Sequence, residues 1–139
     1  MILKAGDYAN KNYYCKYLIM GTGAGGSVAG TLLAEKDLDV IFIEEGTYFP
    51  TSSFTNKVGD MTAKLYRNRG ISPLIGKPLV ALAEGRCVGG GTVINGEGLF
   101  RTPQRILDEW SKDHGLEGYS YSELEGHFKT IEKDLNVEV

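Results

Sequence analysis

Two short apolar runs flank an amphipathic stretch in the first third of the chain. Tyr14–Met20 ends at a glycine, and Val40–Ile43 is a continuous apolar run rich in β-branched side chains. Such a run is typical of a strand buried on both faces of a parallel sheet. Between the two runs, Gly25–Glu35 places its apolar side chains at helical spacing. The pattern therefore predicts a βαβ unit.

The middle of the chain is less regular. Met61–Arg69 is predicted to form a short helix, and Leu79–Leu82 an extended segment. Proline and glycine interrupt Ile71–Pro78, which predicts no regular element there. The long polar stretch at residues 46–60 is predicted to be a loop.

The C-terminal third predicts two helices. Thr102 is a candidate cap for the first helix, with Pro103 at the first helical position, where a missing N–H costs nothing. Ser120 and Glu123 have the spacing of a capping box at the start of the second helix.

Composition narrows the class of protein. The 139 residues include 15 basic and 18 acidic side chains, so the formal net charge is −3. One soluble domain is expected, with no nucleic-acid partner and no membrane span. Cys15 and Cys87 do not make a disulfide framework, which favours a reduced, cytoplasmic setting. His114 and His127 have no ligand-like partners in the sequence, so no metal site is expected.

Glycine is unusually frequent and clustered. Eleven of the 19 glycines fall within residues 21–30 and 85–98. Clustering without a period indicates backbone that turns tightly or approaches a ligand closely.

The first cluster matches G-x-G-x-x-G after a predicted strand and at the start of a predicted helix. Gly21 permits the tight turn, Gly23 leaves room for a pyrophosphate, and Gly26 lets the helix pack closely on the strand. With Ala24 and Gly25, these residues would offer the N–H groups of a helix N-terminus to phosphates.

An acidic pair follows the second predicted strand. Glu44 stands 18 residues after Gly26, where a carboxylate accepts hydrogen bonds from ribose hydroxyls and repels a 2′-phosphate. Glu45 is the second candidate, although its side chain should point the other way if the strand continues. NAD and FAD both use this arrangement, so the first motif does not distinguish them.

The second cluster, residues 85–98, interleaves glycines with polar side chains. Such a segment wraps a large polar ligand with backbone N–H groups and a few side-chain donors. Cys87 is predicted to be a small loop residue rather than a reactive thiol. The candidate cofactor-binding residues here are Arg86, Gly89, Gly90, Gly91, Thr92, Asn95 and Gly96.

Residues 85–95 resemble, position by position, a signature of the glucose–methanol–choline (GMC) family of FAD oxidoreductases. Tyr17–Gly21 and Ile43–Gly46 are similar to the opening of that family, and Gly118–Leu124 to a later segment. The second motif, together with residues 100–103 after it, looks most like bacterial members related to long-chain alcohol oxidases and dehydrogenases. One departure is Leu99, which stands where the family usually has an aromatic residue.

The resemblance implies an α/β fold, with a Rossmann-like FAD-binding βαβ unit, an incomplete parallel sheet and C-terminal helices. It implies FAD as cofactor and oxidation of an alcohol by hydride transfer to the flavin. Residues 1–139 would be the N-terminal part of an FAD-binding domain, completed by a C-terminal region or another chain that carries the substrate domain. Neither His114 nor His127 matches the family's catalytic motif, so no catalytic residue is assigned. The alternative is a non-catalytic dinucleotide-binding fragment of a split or truncated flavoprotein.

Overall fold

The computed structural model describes residues 2–4, 6–7, 10–96 and 98–137, which divide into two compact units. The first unit is Met1–Asn95 and the second is Gly96–Val139. Glu97, a member of the second glycine cluster, lies outside the described residues. The chain is mixed α/β, as predicted.

The predicted βαβ unit is confirmed in the first unit. It consists of β1 (Tyr17–Met20), α1 (Ala24–Ala34) and β2 (Val40–Ile43). The strands pair in parallel, with Tyr17 opposite Val40 and Met20 opposite Ile43. The first strand begins three residues later than the apolar run suggested.

The remaining elements of the first unit frame a loop-rich region. They are two 3₁₀ turns at Thr51–Ser53 and Arg67–Gly70, α2 (Val58–Leu65), β3 (Ser72–Leu74), β4 (Val80–Leu82) and α3 (Gly91–Ile94).

Two sequence predictions in this region need correction. The helix predicted over Met61–Arg69 begins at Val58 and ends at Leu65, because the backbone of Tyr66 is extended, and Asn68 and Arg69 then adopt left-handed φ angles of 49° and 55°. The proline-containing segment predicted to lack regular structure holds β3, which pairs antiparallel with β4. Pro73 is accommodated in a strand of only three residues within a two-stranded ribbon.

The sequence of β2 is typical of a strand buried on both faces, but this chain covers the strand only in part. Phe42 and Ile43 are 39% and 54% exposed. The parallel sheet formed by the described residues has only two strands, so much of its apolar surface stays uncovered. Within this unit, Leu65 and Cys87 are the buried apolar side chains of the described residues.

The second unit contains α4 (Gln104–His114) and α5 (Tyr121–Asp134). The capping box of Ser120 and Glu123 is confirmed. The cap predicted at Thr102 is wrong, because Pro103 occupies the N-cap position and its carbonyl accepts the first helical N–H, from Ile106, at 2.9 Å.

A charged clamp holds the start of the second unit to its last helix. The Arg101 guanidinium donates to both carboxylate oxygens of Glu132 at 2.6 and 2.7 Å, and to the Tyr121 hydroxyl at 2.8 Å. Among the described helices, none combines the length and apolar character that crossing a membrane requires.

Candidate functional site

The first glycine segment, residues 21–26, links β1 to α1. Gly21 turns the chain with a φ of +88°, and its N–H donates to the Ile43 carbonyl at 2.7 Å. Gly23 occupies the N-cap position of α1, and no side chain caps the helix there. The N–H groups of Ala24 and Gly25 therefore lie at the N-terminus of α1, which carries a partial positive charge.

Gly23 and Gly26 serve different purposes. A Cβ built on Gly26 would collide with the Gly21 carbonyl, so glycine there permits the close packing of helix on strand that the sequence predicted. A Cβ on Gly23 would meet no atom within 4 Å and would enter open space. Gly23 has a φ of −68°, which residues with side chains also adopt, so backbone strain does not require glycine at this position. Its lack of a side chain keeps space open for a ligand.

The second glycine segment, residues 85–91, approaches the first segment closely. Gly89 and Gly90 adopt positive φ angles of 95° and 53°. A Cβ on Gly90 would lie 3.2 Å from the Cα of Gly23. The Cβ position of Gly85 is occupied by the Gly90 backbone, which shows how tightly the segment folds on itself. Glycine is thus required here by conformation and by contact.

The predicted polar residues of the second cluster bond to their own segment. The Thr92 hydroxyl donates to the Gly89 carbonyl at 2.6 Å. The Asn95 amide donates to the Thr92 carbonyl at 2.8 Å. These bonds stabilise the turn that leads through α3. Gly96 belongs to the second unit.

Glu44 lies at the centre of a hydrogen-bond network that joins both glycine segments. Its Oε2 accepts from the Thr22 N–H at 2.9 Å and from the Thr22 hydroxyl at 2.7 Å. Its Oε1 accepts from the Gly46 N–H at 2.8 Å. The Thr22 hydroxyl in turn accepts from the Gly89 N–H at 2.9 Å. Thr22 was not among the predicted site residues.

This environment keeps Glu44 ionised. Partial burial alone would raise the pKa of its carboxyl, but the hydrogen bonds from Thr22, Gly46 and Glu45 outweigh burial and lower that pKa below its ordinary value of 4.5. The carboxylate is therefore a fixed negative charge at neutral pH.

Glu45 has separate partners. It forms an ion pair with Arg67 and lies 3.4 Å from Nε of Arg86. Arg67 also pairs with Glu84 at 3.3 Å. The hydrogen bond and charge of Arg67 lower the pKa of the Glu45 carboxyl. The Arg86 side chain, predicted to bind the cofactor, faces this cluster of charges. The backbone N–H of Arg86 donates to the Leu65 carbonyl at 2.7 Å.

A cleft of about 480 Å³ opens where the strands of the parallel sheet end. This volume is within the range of small-molecule sites. Of the predicted site residues, the cleft brings together Gly21, Gly23, Glu44, Glu45, Gly90 and Gly91. Three further lining residues were not predicted as site residues: Met20, Ile43 and Gly85.

The cleft fits the adenosine and diphosphate parts of a dinucleotide. A helix N-terminus without a side-chain cap suits a phosphate, and the open Cβ position of Gly23 gives it access to the backbone. The ionised Glu44 suits ribose hydroxyls. Gly23, the N-cap residue of α1, and Glu44 belong to one unit and line one cavity.

Cys87 lies beneath this site. Its side chain is 1% exposed, and burial, together with the charge of Glu44, raises the pKa of its thiol. The interpretation of Cys87 as a packing residue agrees with this environment, because an undissociated, covered thiol is a poor nucleophile.

The histidines are placed in the second unit. His114 is in the last turn of α4 and His127 is within α5, and both are exposed. In the part of the chain that the structure describes, no cluster of three or more His, Cys, Asp or Glu side chains is arranged to hold a metal ion.

Comparison with known proteins yields one family. The family profile described as GMC oxidoreductase matches residues 15–139 and corresponds to its N-terminal domain, the FAD-binding part of these proteins. A GMC-type oxidoreductase of Sinorhizobium fredii is 38% identical over 119 residues, which is 86% of this chain and 24% of that protein.

Two relatives carry more specific names. A long-chain-alcohol oxidase of Arabidopsis thaliana is 34% identical over 123 residues, covering 88% of this chain and 16% of the relative. An oxygen-dependent choline dehydrogenase of Staphylococcus aureus is 31% identical over 137 residues, covering 90% of this chain and 24% of the relative. The chain thus spans between 16% and 24% of the length of these relatives.

Proposed function

This chain belongs to the GMC oxidoreductase family, and we propose that it binds the adenosine and diphosphate portions of FAD in an enzyme that oxidises an alcohol. The observation that carries the proposal is the meeting of both glycine segments and Glu44 around one cleft. A simple glycine-rich turn would need neither an acid fixed beside it nor a second glycine segment packed against it.

Each part of the cleft has a role in this proposal. The N–H groups at the start of α1 bind the diphosphate, and Gly23 leaves the backbone accessible to it. Glu44 accepts hydrogen bonds from the ribose of the adenosine. Gly90 and Gly91 bring a second stretch of backbone to the same cavity.

The second glycine segment supports FAD over NAD, because a nicotinamide-binding βαβ unit does not need it. FAD, when bound, supplies a two-electron acceptor for the hydride of a carbinol carbon. The named activities of the Arabidopsis and Staphylococcus relatives support an alcohol as donor. Two free cysteines support a reducing, cytoplasmic setting.

A second candidate function is cofactor binding without catalysis. None of the described residues that line the cleft is a histidine, and its two carboxylates, Glu44 and Glu45, are already held by hydrogen bonds and ion pairs with the protein. We therefore propose that the two glycine segments and Glu44 hold the cofactor, while the proton acceptor and the alcohol-binding surface come from a further region or a completing chain.

Identification of the released nucleotide tests the first part. Protein co-expressed with a completing partner is purified and denatured, and the supernatant is analysed by chromatography and absorbance. We expect FAD in near-stoichiometric amount; recovery of NAD, or of FMN alone, would contradict FAD binding.

A steady-state assay tests whether the catalytic base comes from a further region or a completing chain. Primary and secondary alcohols are offered to the FAD-loaded chain with an artificial electron acceptor. Positioned acid–base catalysis contributes about 10²–10⁴-fold, so we expect turnover only when a region that supplies the base is joined to this chain. Rapid turnover by the 139-residue chain alone would place a base within it, and His114 and His127 would be mutated first.

A further inference from the structure

Thr22 occupies a distinctive position in the site. Its hydroxyl donates to Oε2 of Glu44 at 2.7 Å and accepts from the Gly89 N–H at 2.9 Å. Its backbone N–H reaches the same Glu44 oxygen at 2.9 Å. One side chain thus joins the first glycine segment, the acid after β2 and the second glycine segment, which lies 67 residues away.

We infer that Thr22 is a positioning residue of the proposed FAD site: its hydroxyl fixes the Glu44 carboxylate for the adenosine ribose and ties the second glycine segment to it. The inference rests on the proposed function. Thr22 does not line the cleft itself, so it acts through Glu44 and Gly89.

The chemistry of the hydroxyl matches both tasks. A threonine hydroxyl has one donor and two acceptor positions. The ionised Glu44 takes the donor, and the Gly89 N–H uses an acceptor position. Glycines have no side chains with which to make such a link, so the hydroxyl supplies what the two segments lack. Valine has nearly the same shape as threonine but can make neither bond.

The hydrogen bonds from Thr22 also affect the charge and the conformation of the Glu44 carboxylate. The hydrogen bonds from Thr22 contribute to the lowered pKa of Glu44. Without the Thr22 hydroxyl, the Glu44 side chain would populate more rotamers. The entropy lost in ordering it would then oppose ligand binding.

The experiment compares three variants of the purified protein by FAD titration. Thr22→Val should raise the FAD dissociation constant about tenfold, the loss expected for one hydrogen bond to a charged group. Thr22→Ser keeps the hydroxyl and should stay within about threefold of the unchanged protein. Thr31→Val is the matched control, because this exposed threonine of α1 lies outside the network.

The binding of ADP and of pyrophosphate distinguishes a positioning role of Thr22 from a general loss of structure around the cleft. ADP contains the ribose, whereas inorganic pyrophosphate does not. Thr22→Val should weaken ADP binding by about the same factor as FAD binding, and should leave pyrophosphate binding within about twofold. Circular dichroism and a melting curve establish that the variant is folded; if it is not, Thr22→Ala is measured in the same way.

A double-variant cycle tests whether Thr22 acts through Glu44. Glu44→Ala combined with Thr22→Val should lose less FAD affinity than the two single losses added together, because the bond from the Thr22 hydroxyl to Glu44 is already gone in Glu44→Ala. Additive losses, equal losses for ADP and pyrophosphate, or unchanged FAD binding by Thr22→Val would overturn the inference. Failure of the unchanged protein to bind FAD would overturn the proposed function, and this inference with it.

Discussion

The two glycine segments serve one cleft but use glycine for different reasons. In the first segment, Gly21 alone has a positive φ, Gly26 allows backbone contact, and Gly23 leaves space empty. In the second segment, Gly89 and Gly90 are both left-handed. The first segment is shaped mainly by what must fit beside it, and the second by the path of its own chain.

The difference shows that a glycine-rich motif is not uniform. Added atoms at Gly23 would affect a ligand, whereas added atoms at Gly26 or Gly90 would affect the fold. Substitutions should therefore separate binding from stability position by position.

The largest effect is expected for Gly23→Val. The added side chain would enter the open cleft where the diphosphate is proposed to bind, so FAD affinity should fall at least ~100-fold, or about 2.7 kcal/mol. The φ of −68° is accessible to valine, and no atom lies within 4 Å of the new Cβ. Valine is a poorer N-cap residue than glycine, so a melting curve of the variant is the folding control. A folded variant that retains FAD would refute the role of Gly23.

Gly26→Ala should have the opposite signature. Its Cβ would collide with the Gly21 carbonyl, and overpacking of this kind costs about 1–3 kcal/mol. Urea unfolding should show this loss in the free energy of unfolding without any ligand present. Unchanged stability would mean that α1 shifts freely on β1.

Gly90→Ala and Gly91→Ala form a matched pair in the second segment. Alanine at position 90 must adopt a φ of 53° with its Cβ 3.2 Å from the Gly23 Cα, which should cost about 1–2 kcal/mol. Alanine at position 91 meets no atom within 4 Å and should change the free energy of unfolding by less than about 0.5 kcal/mol. Equal losses in the two variants would show that conformation does not govern this segment.

The smallest effect concerns pH. The pKa of Glu44 is lowered in the folded state, so its charged form contributes stability above the ordinary value of 4.5, and that contribution is lost as pH falls through the folded pKa. The stability difference between the unchanged protein and Glu44→Gln should therefore be largest near neutral pH and shrink in acid. Urea unfolding at several pH values measures it, and a constant difference would contradict an ionised Glu44.

The sequence predicted the βαβ unit well because its signals are local. Continuous apolar residues mark β1 and β2, and a glycine motif marks the start of α1. The capping box at Ser120 was equally local, since both partners lie within one helical turn. The candidate site residues were likewise predicted from local glycine motifs.

Other features depend on contacts between distant residues. The role of Thr22 exists only because the loop around Gly89 folds back to it. One signal could have indicated it: Thr22 and Glu44 follow the ends of adjacent parallel strands, so their side chains are expected to meet. The early end of α2 could not be predicted, because the backbone becomes extended at Tyr66, a residue type that helices also contain.

The burial of Cys87 makes the opening of the first unit measurable by its rate of alkylation. The Cys87 thiol is covered by the segment that carries Gly90, whereas Cys15 is partly accessible and provides an internal reference. When reclosing is faster than alkylation, the alkylation rate of an exposed thiol divided by that of Cys87 is a protection factor. This factor reports the opening equilibrium. A ligand that binds only the closed form adds RT ln(1 + [L]/Kd) to the free energy of opening. The protection factor of Cys87 would therefore rise with FAD concentration and report the affinity for FAD without any optical signal from the flavin.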